Sequence, residues 1–307
     1  MQEMVGRICI NYDFYKGTDL YSDGDIEEKL LEFVQNHDES ELETFIKKSK
    51  KWPVLYHFST IRQNVVEWFP FDKDKTVLEI GSGCGAITGC LSDKCAKVTC
   101  VELSKRRSLI NAYRNQKRDN IEIYVSNFED FQTNNHGRFD YITLIGVFEY
   151  SGNYIDSGQP SLEFLKKIKK LLKKGGLLFI AIENKLGMKY WAGCKEDHLA
   201  SFFSGIENYP VSKSVRTYTK KELMGMLGDA GFTDFEWYYP YPDYKFAHSI
   251  YSDDYLPGEG DLSNNLRNFD MDRLVLFDES KAFDTIIQNG LFPVYSNSYL
   301  VIAGGED

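Results

Sequence analysis

The chain has 307 residues, 42% of them apolar and 15% aromatic, with a formal net charge of −10 and an isoelectric point near 5.1. That length supports a substantial core, as one large domain with additions or as two small ones. The acidic balance argues against bulk nucleic-acid binding, which needs a basic footprint, and no stretch approaches the roughly 20 apolar residues of a membrane span.

The N-terminus, Met1-Gln-Glu-Met-Val-Gly6, lacks a basic region followed by an apolar one, so no signal peptide is expected. Residues 1–53 read as a helical extension. Asp25 stands as an N-cap before a helix with Ile26, Leu30, Leu31, Phe33 and Val34 as its apolar positions. A second helix is expected over 41–48 and a third over 55–68. These helices either cover the mouth of a ligand site or simply pack, because amphipathicity reports only burial.

From residue 76 strand and helix alternate: strands at 76–80, 97–101, 121–125, 140–146 and 177–182, helices at 85–92, 104–117 and 161–173. Such alternation implies a parallel sheet covered on both faces, with ligands at the carboxyl ends of the strands. The lysine run 166–174 reads as a solvated face, since Leu162, Leu165, Ile168 and Leu172 keep helical spacing beneath it. After Ile182 the rhythm breaks. Residues 183–218 are irregular; Thr219-Lys-Lys-Glu222 is a capping box opening a helix that Gly231 ends. A strand at 232–239, a second irregular insertion at 241–297 and a last strand at 299–303 follow. The two insertions are expected to build the substrate side of residues 54–307.

The six cysteines form no C-x-x-C pair, so a reducing, cytoplasmic setting is expected and no metal site. The informative segment is Thr76-Val-Leu-Glu-Ile-Gly-Ser-Gly-Cys-Gly85, followed by Val101-Glu102. It reads as a strand, a glycine turn opening a helix, and a second strand ending in an acid, which is how a nucleoside is held. Gly81-x-Gly83-x-x-Ala86 satisfies a dinucleotide fingerprint. An acid at Glu79 would repel a pyrophosphate, however, and would favour a sulfonium or ammonium. The Tyr-x-x-x-Lys pair of a short-chain dehydrogenase occurs at 241–245, but Pro242 argues against the helix it needs.

Over roughly 54–240 and the final strand the chain resembles the class I S-adenosylmethionine-dependent methyltransferases. The resemblance rests on V-L-E-I-G-S-G-C-G at 77–85, V-E-L at 101–103, S-N-F-E-D at 126–130, F-D-Y-I-T-L-I-G-V-F-E-Y at 139–150 and K-K-G-G-L-L-F-I-A at 173–181. It implies an α/β, Rossmann-like seven-stranded sheet and S-adenosylmethionine as cofactor, with S-adenosylhomocysteine as product. It also implies roles. Glu79, Gly81, Ser82 and Gly83 line the turn at the methionine and ribose, and Glu102 takes the ribose hydroxyls. Leu103 and Phe128 lie on the adenine, Asn127 accepts from its amino group, and Ile145 and Gly146 form the floor. Tyr150 stands where many relatives have His.

Among catalytic candidates, His198 beside Asp197 is the general base, with a surface histidine in a polar turn as the bland reading. Asn184 and Glu183 end a central strand on the ligand side; Asp243 and His248 are secondary candidates. The aromatic run 237–251 suits a sugar or, equally, simple packing. Residues 183–255 resemble methyltransferase domains of bacterial surface-polysaccharide biosynthesis, which implies O-methylation of a sugar or glycan acceptor. A protein, tRNA or small-metabolite acceptor, and a cofactor-binding regulatory module without turnover, are the alternatives.

Overall fold

The computed structural model describes residues 1–305 except 20–21, 135–136, 156, 213 and 266–270. Two compact units divide the chain: residues 1–144 with 170–177, and residues 145–169 with 178–307.

The first unit carries β1 (Gln2–Val5), β2 (Ile8–Asn11), β3 (Thr76–Ile80), β4 (Lys97–Glu102), β5 (Ile121–Val125) and β6 (Phe139–Ile145), in the order β1-β2-β5-β4-β3-β6. From β2 to β6 all neighbours are parallel. Helices Thr88–Lys94, Lys105–Arg114 and Phe128–Asn134 make the connections. β3 and β4 are buried along nearly their whole length, as parallel strands covered on both faces must be. The chain steps outward from β3 to β5 and then returns to lay β6 on the other side of β3. This reversal is the switch point at which α/β sheets bind ligands.

Contrary to the expected helical extension, the N-terminus starts with the hairpin β1–β2. Its turn needs Gly6, which sits at φ +57 and would bring a Cβ within 2.4 Å of the Gln116 carbonyl. Ile8 and Ile10 of β2 are fully buried, but a four-residue strand is too short to show its period in the sequence. The third expected helix is broken at Ser59, whose extended backbone and Oγ acceptor for Ile61 N (3.3 Å) separate Trp52–Phe58 from Thr60–Gln63. Leu30, Phe33, Val34, Leu42, Val54 and Phe58 share one core with Cys84 and Ile110. Each fully buried Leu, Val or Phe stabilises by about 1.5–3 kcal/mol, so the extension is packed firmly onto the glycine turn that contains Cys84.

The second unit holds the end of β7 (Leu172–Glu183), then β8 (Asp234–Tyr241), β9 (Ser249–Ser252) and β10 (Ser298–Gly304), in the order β7-β10-β8-β9. All three pairings are antiparallel. The described residues thus contain ten strands rather than seven, the additions being β1, β2 and β9. Helix Lys220–Asp229 opens on the expected box: Glu222 Oε2 accepts from Thr219 N at 2.8 Å and Thr219 Oγ1 from Glu222 N at 3.2 Å. The insertion at 241–297 is more regular than its composition suggests, with a helix Glu279–Gln288 capped by Asp278. Trp237, Tyr239, Tyr241, Tyr244 and Phe246 are all buried, so packing accounts for the aromatic run. No helix among the described residues is long and apolar enough to cross a membrane.

Candidate functional site

In the first unit the chain leaves β3 through Gly81, Gly83 and Gly85, all at positive φ. Two of these glycines serve different ends. A Cβ at Gly83 would meet nothing within 4 Å, so this turn has an open face. A Cβ at Gly85 would lie 2.4 Å from Asn111 Oδ1, so that glycine lets the turn close on helix Lys105–Arg114. Ser82 is buried beside Cys100.

Glu102 ends β4 and is 7% exposed. Its Oε2 accepts from Gly83 N and its Oε1 from Ser104 N, both at 2.9 Å. Each oxygen keeps a lone pair for one further donor, which suits a vicinal diol. Asp19 of the extension accepts from Ser104 Oγ, Lys105 N and Arg106 N at 2.8–3.1 Å, fixing the segment that follows Glu102. Arg107 in turn donates to Glu27 (2.7 Å) and Asp23 (2.9 Å). The extension therefore reaches the segment that follows Glu102, through Asp19, Asp23 and Glu27, acids that belong to no sequence motif.

Glu79 is buried and accepts from Thr88 Oγ1 at 2.6 Å. Burial, with a smaller contribution from Glu102, pushes its carboxyl up to about 7 against the hydrogen bonds of Thr88 and Cys100. A cation brought to it would favour the ionised form. Leu103 is half-buried, Phe128 is 3% exposed, and Asn127 Oδ1 accepts from Asp130 N at 2.7 Å at the start of a helix.

In the second unit Gly146 is at φ +71, and a Cβ there would stand 2.7 Å from Tyr244 Oη; Ile145 before it is half-buried. Nearby residues gather into a polar cluster. His198 is no surface histidine: its side chain is 8% exposed, with Nδ1 3.1 Å from Glu196 Oε1 and Nε2 3.4 Å from Glu149 Oε1. Its ring meets that of Tyr150 edge-on at 5.3 Å. Burial opposes the charged imidazolium, but the bonds to Glu149 and Glu196, with the field of Glu183, hold its pKa well above the usual range.

Asp197 does not orient His198, contrary to the sequence reading. It pairs instead with Lys189 and Lys245, both at 2.9 Å, and accepts from Tyr190 Oη at 2.5 Å. Asn184 is committed to the backbone, donating to the Val294 and Ser296 carbonyls at 2.8 and 2.7 Å and accepting from Leu186 N at 3.0 Å. Glu183 is fully buried and pairs with Lys245. Asp243 joins the cluster through Lys189 at 2.8 Å, whereas His248 is exposed. Glu149, Lys189 and Lys245 were missed because they lie far from His198 in the chain and no spacing rule ties them to it, and Glu196, only two residues before His198, was passed over for the adjacent Asp197.

A sequence profile described as a methyltransferase domain matches residues 55–236, more than half of the chain. None of the curated proteins matches the sequence. Among solved structures, an S-adenosylmethionine-dependent methyltransferase from Archaeoglobus fulgidus is 13% identical, with 83% of this chain and 100% of that one covered at a TM-score of 0.50. One from Thermotoga maritima is 17% identical, covering 87% and 99% at 0.45. Phosphoethanolamine N-methyltransferase 1 of Haemonchus contortus is 13% identical, covering 88% and 49% at 0.49. At 13% identity the Archaeoglobus fulgidus structure speaks to the fold alone, and it is the profile that gives the family. A matched domain lying over the β3–turn–β4 cradle places the chain among the class I S-adenosylmethionine-dependent methyltransferases, and its cofactor is S-adenosylmethionine.

Proposed function

We propose that this methyltransferase methylates a sugar hydroxyl during bacterial surface-glycan synthesis in the cytoplasm. S-Adenosylmethionine, when bound, supplies a methyl group already activated on a sulfonium. The chain's own residues then bind, orient and handle the proton. In this reading Gly81, Ser82 and Gly83 admit the methionine and ribose, and Glu102 accepts from the ribose hydroxyls while still holding Gly83 and Ser104. Leu103 and Phe128 lie on the adenine, Asn127 accepts from its amino group through the second lone pair of Oδ1, Glu79 faces the cationic end, and Ile145 and Gly146 form the floor.

The observation that supports a hydroxyl acceptor is that Glu149 and Glu183, which group with His198, each bury an Oε2 that has no hydrogen-bond partner. A hydroxyl donor satisfies such oxygens and gives up its proton to a cluster of this kind on methylation. His198 contributes by holding Glu149 and by sharing the proton, its two nitrogens being engaged already.

The test is transfer of a radiolabelled methyl group into fractionated cell glycans, proteins and RNA. Label in the glycan fraction is expected. Label confined to protein, RNA or small metabolites would overturn the sugar reading. Cofactor retention with label in no fraction would point to a regulatory module.

A further inference from the structure

We propose that Glu149, Glu183 and His198 of the second unit form a binding site for one divalent cation, of the chemistry of Mn2+ or Zn2+. One ligand atom from each of the three residues lies within 4.8 Å of the others. They come from the segment after β6, the end of β7 and the first insertion, so no motif in the sequence announces them.

Clustered acids alone would not argue for an ion; the state of their oxygens does. Glu149 and Glu183 are 2% and 0% exposed, and Oε2 of each is buried with no hydrogen-bond partner. Native proteins leave few such atoms, because a desolvated carboxylate oxygen without a donor is costly. An ion held by both carboxylates would satisfy them, and an acceptor hydroxyl would then meet the ion rather than the bare oxygens.

The histidine is set up in the same sense. Glu196 is fixed by His198 N (2.9 Å) and Leu199 N (2.7 Å) on Oε2, and by Tyr209 Oη (3.2 Å) on Oε1. Glu196 Oε1 lies 3.1 Å from His198 Nδ1, leaving Nε2 directed at Glu149. A carboxylate that holds one imidazole nitrogen so that the other faces inward is the usual support of a metal-ligating histidine.

A neighbouring trio shows the contrast. Glu183, Asp197 and Asp243 also converge, but Lys245 Nζ reaches all three, and Lys189 Nζ lies 2.9 and 2.8 Å from Asp197 and Asp243. That trio is served by the protein's own ammonium groups. Among the described residues no lysine or arginine pairs with the Glu149 side chain; its partner is His198 Nε2 at 3.4 Å, and an ion would take that place once the imidazole gives up its proton.

Two carboxylate oxygens and one imidazole nitrogen suit Mn2+ or Zn2+ better than Ca2+, which takes oxygen ligands throughout. Three protein ligands also leave positions open to oxygen donors from outside. That these would be the hydroxyls of a polyol rests on the sugar reading; the cation site itself does not.

The full chain, stripped with chelator and dialysed, is titrated with MnCl2 alone, with free Mn2+ read by electron paramagnetic resonance. Zn2+ is titrated by calorimetry in parallel. Binding of one equivalent and a higher unfolding midpoint are expected, with nitrogen hyperfine coupling on the bound Mn2+. Glu149→Gln and His198→Gln should each weaken binding by about tenfold or more. Asp253→Asn, at a remote ion pair with Lys220, should leave it unchanged. No stoichiometric binding of either ion at millimolar concentration, unchanged affinity in Glu149→Gln, or no nitrogen coupling would overturn the site. The coupling is read on the wild-type protein, so it decides even if a variant fails to fold. Failure of the cation to bind would leave the glycan-label experiment standing as a separate test of the acceptor.

Discussion

Glu102→Gln tests the nucleoside cradle most directly. The carboxylate is 7% exposed, and each of its oxygens already accepts a backbone N–H, from Gly83 or Ser104, at 2.9 Å. Glutamine keeps one acceptor but sets an NH2 against a backbone donor at the other, and one ribose hydroxyl loses its acceptor. A hydrogen bond to a charged group contributes about 1.5–3 kcal/mol, so loss of one weakens binding by about 10- to 150-fold. Glu102→Ala removes both acceptors, leaves two loop amides unsatisfied at about 1–3 kcal/mol each, and should abolish measurable binding. Calorimetric titration with S-adenosylhomocysteine, paired with thermal unfolding, separates affinity from folding. Wild-type affinity in a Glu102→Gln protein with an unchanged unfolding midpoint would refute the assignment of the ribose to Glu102.

Three further outcomes follow from the same geometry. Glu79 is raised in the folded state from 4.5 to about 7, so the native protein holds its proton more tightly than the unfolded chain. Its contribution to stability is therefore complete below about pH 4.5 and is lost as pH rises towards 7, about 3 kcal/mol in all. The ligand-free unfolding midpoint should fall over that interval and do so less in Glu79→Gln; equal slopes would discount Glu79 as the group responsible. His198→Ala should leave S-adenosylhomocysteine affinity unchanged and lower turnover by about 10²-fold or more, so undiminished turnover would remove His198 from the reaction. Asn184→Ala strips donors from the part-buried Val294 and buried Ser296 carbonyls and should lower stability by about 1–3 kcal/mol in urea unfolding. A stable variant with lost activity would instead return Asn184 to the catalytic candidates.

Much of the first unit could be read directly. Strands at 76–80 and 121–125 lie where their apolar residues place them, the first buried along nearly its whole length and the second alternating with Ile121, Ile123 and Val125 buried. The capping box at Thr219 and the glycine stop at Gly231 were equally plain, since cap chemistry is local. β1, β2 and β9 escaped because four residues carry too little period. Helix Glu279–Gln288 escaped although Asp278 and Gly290 bracket it, its signals being diluted by the polar insertion around it.

The residues proposed to hold the methyl donor could be read from the chain alone. Glu79, the glycines and Glu102 fall within one strand–turn–helix–strand unit, so chain order and local backbone chemistry are enough to bring them to one sheet edge. The partners of the residues proposed for the acceptor could be known only from the folded chain. It turned His198 from Asp197, its neighbour in the chain, towards Glu149 and Glu196, gave Asp197 to two lysines, and tied Asn184 to the backbone. Partners contributed by separate loops carry no period and no fixed spacing. Burial selects which charges meet, and it does so only once the chain has folded.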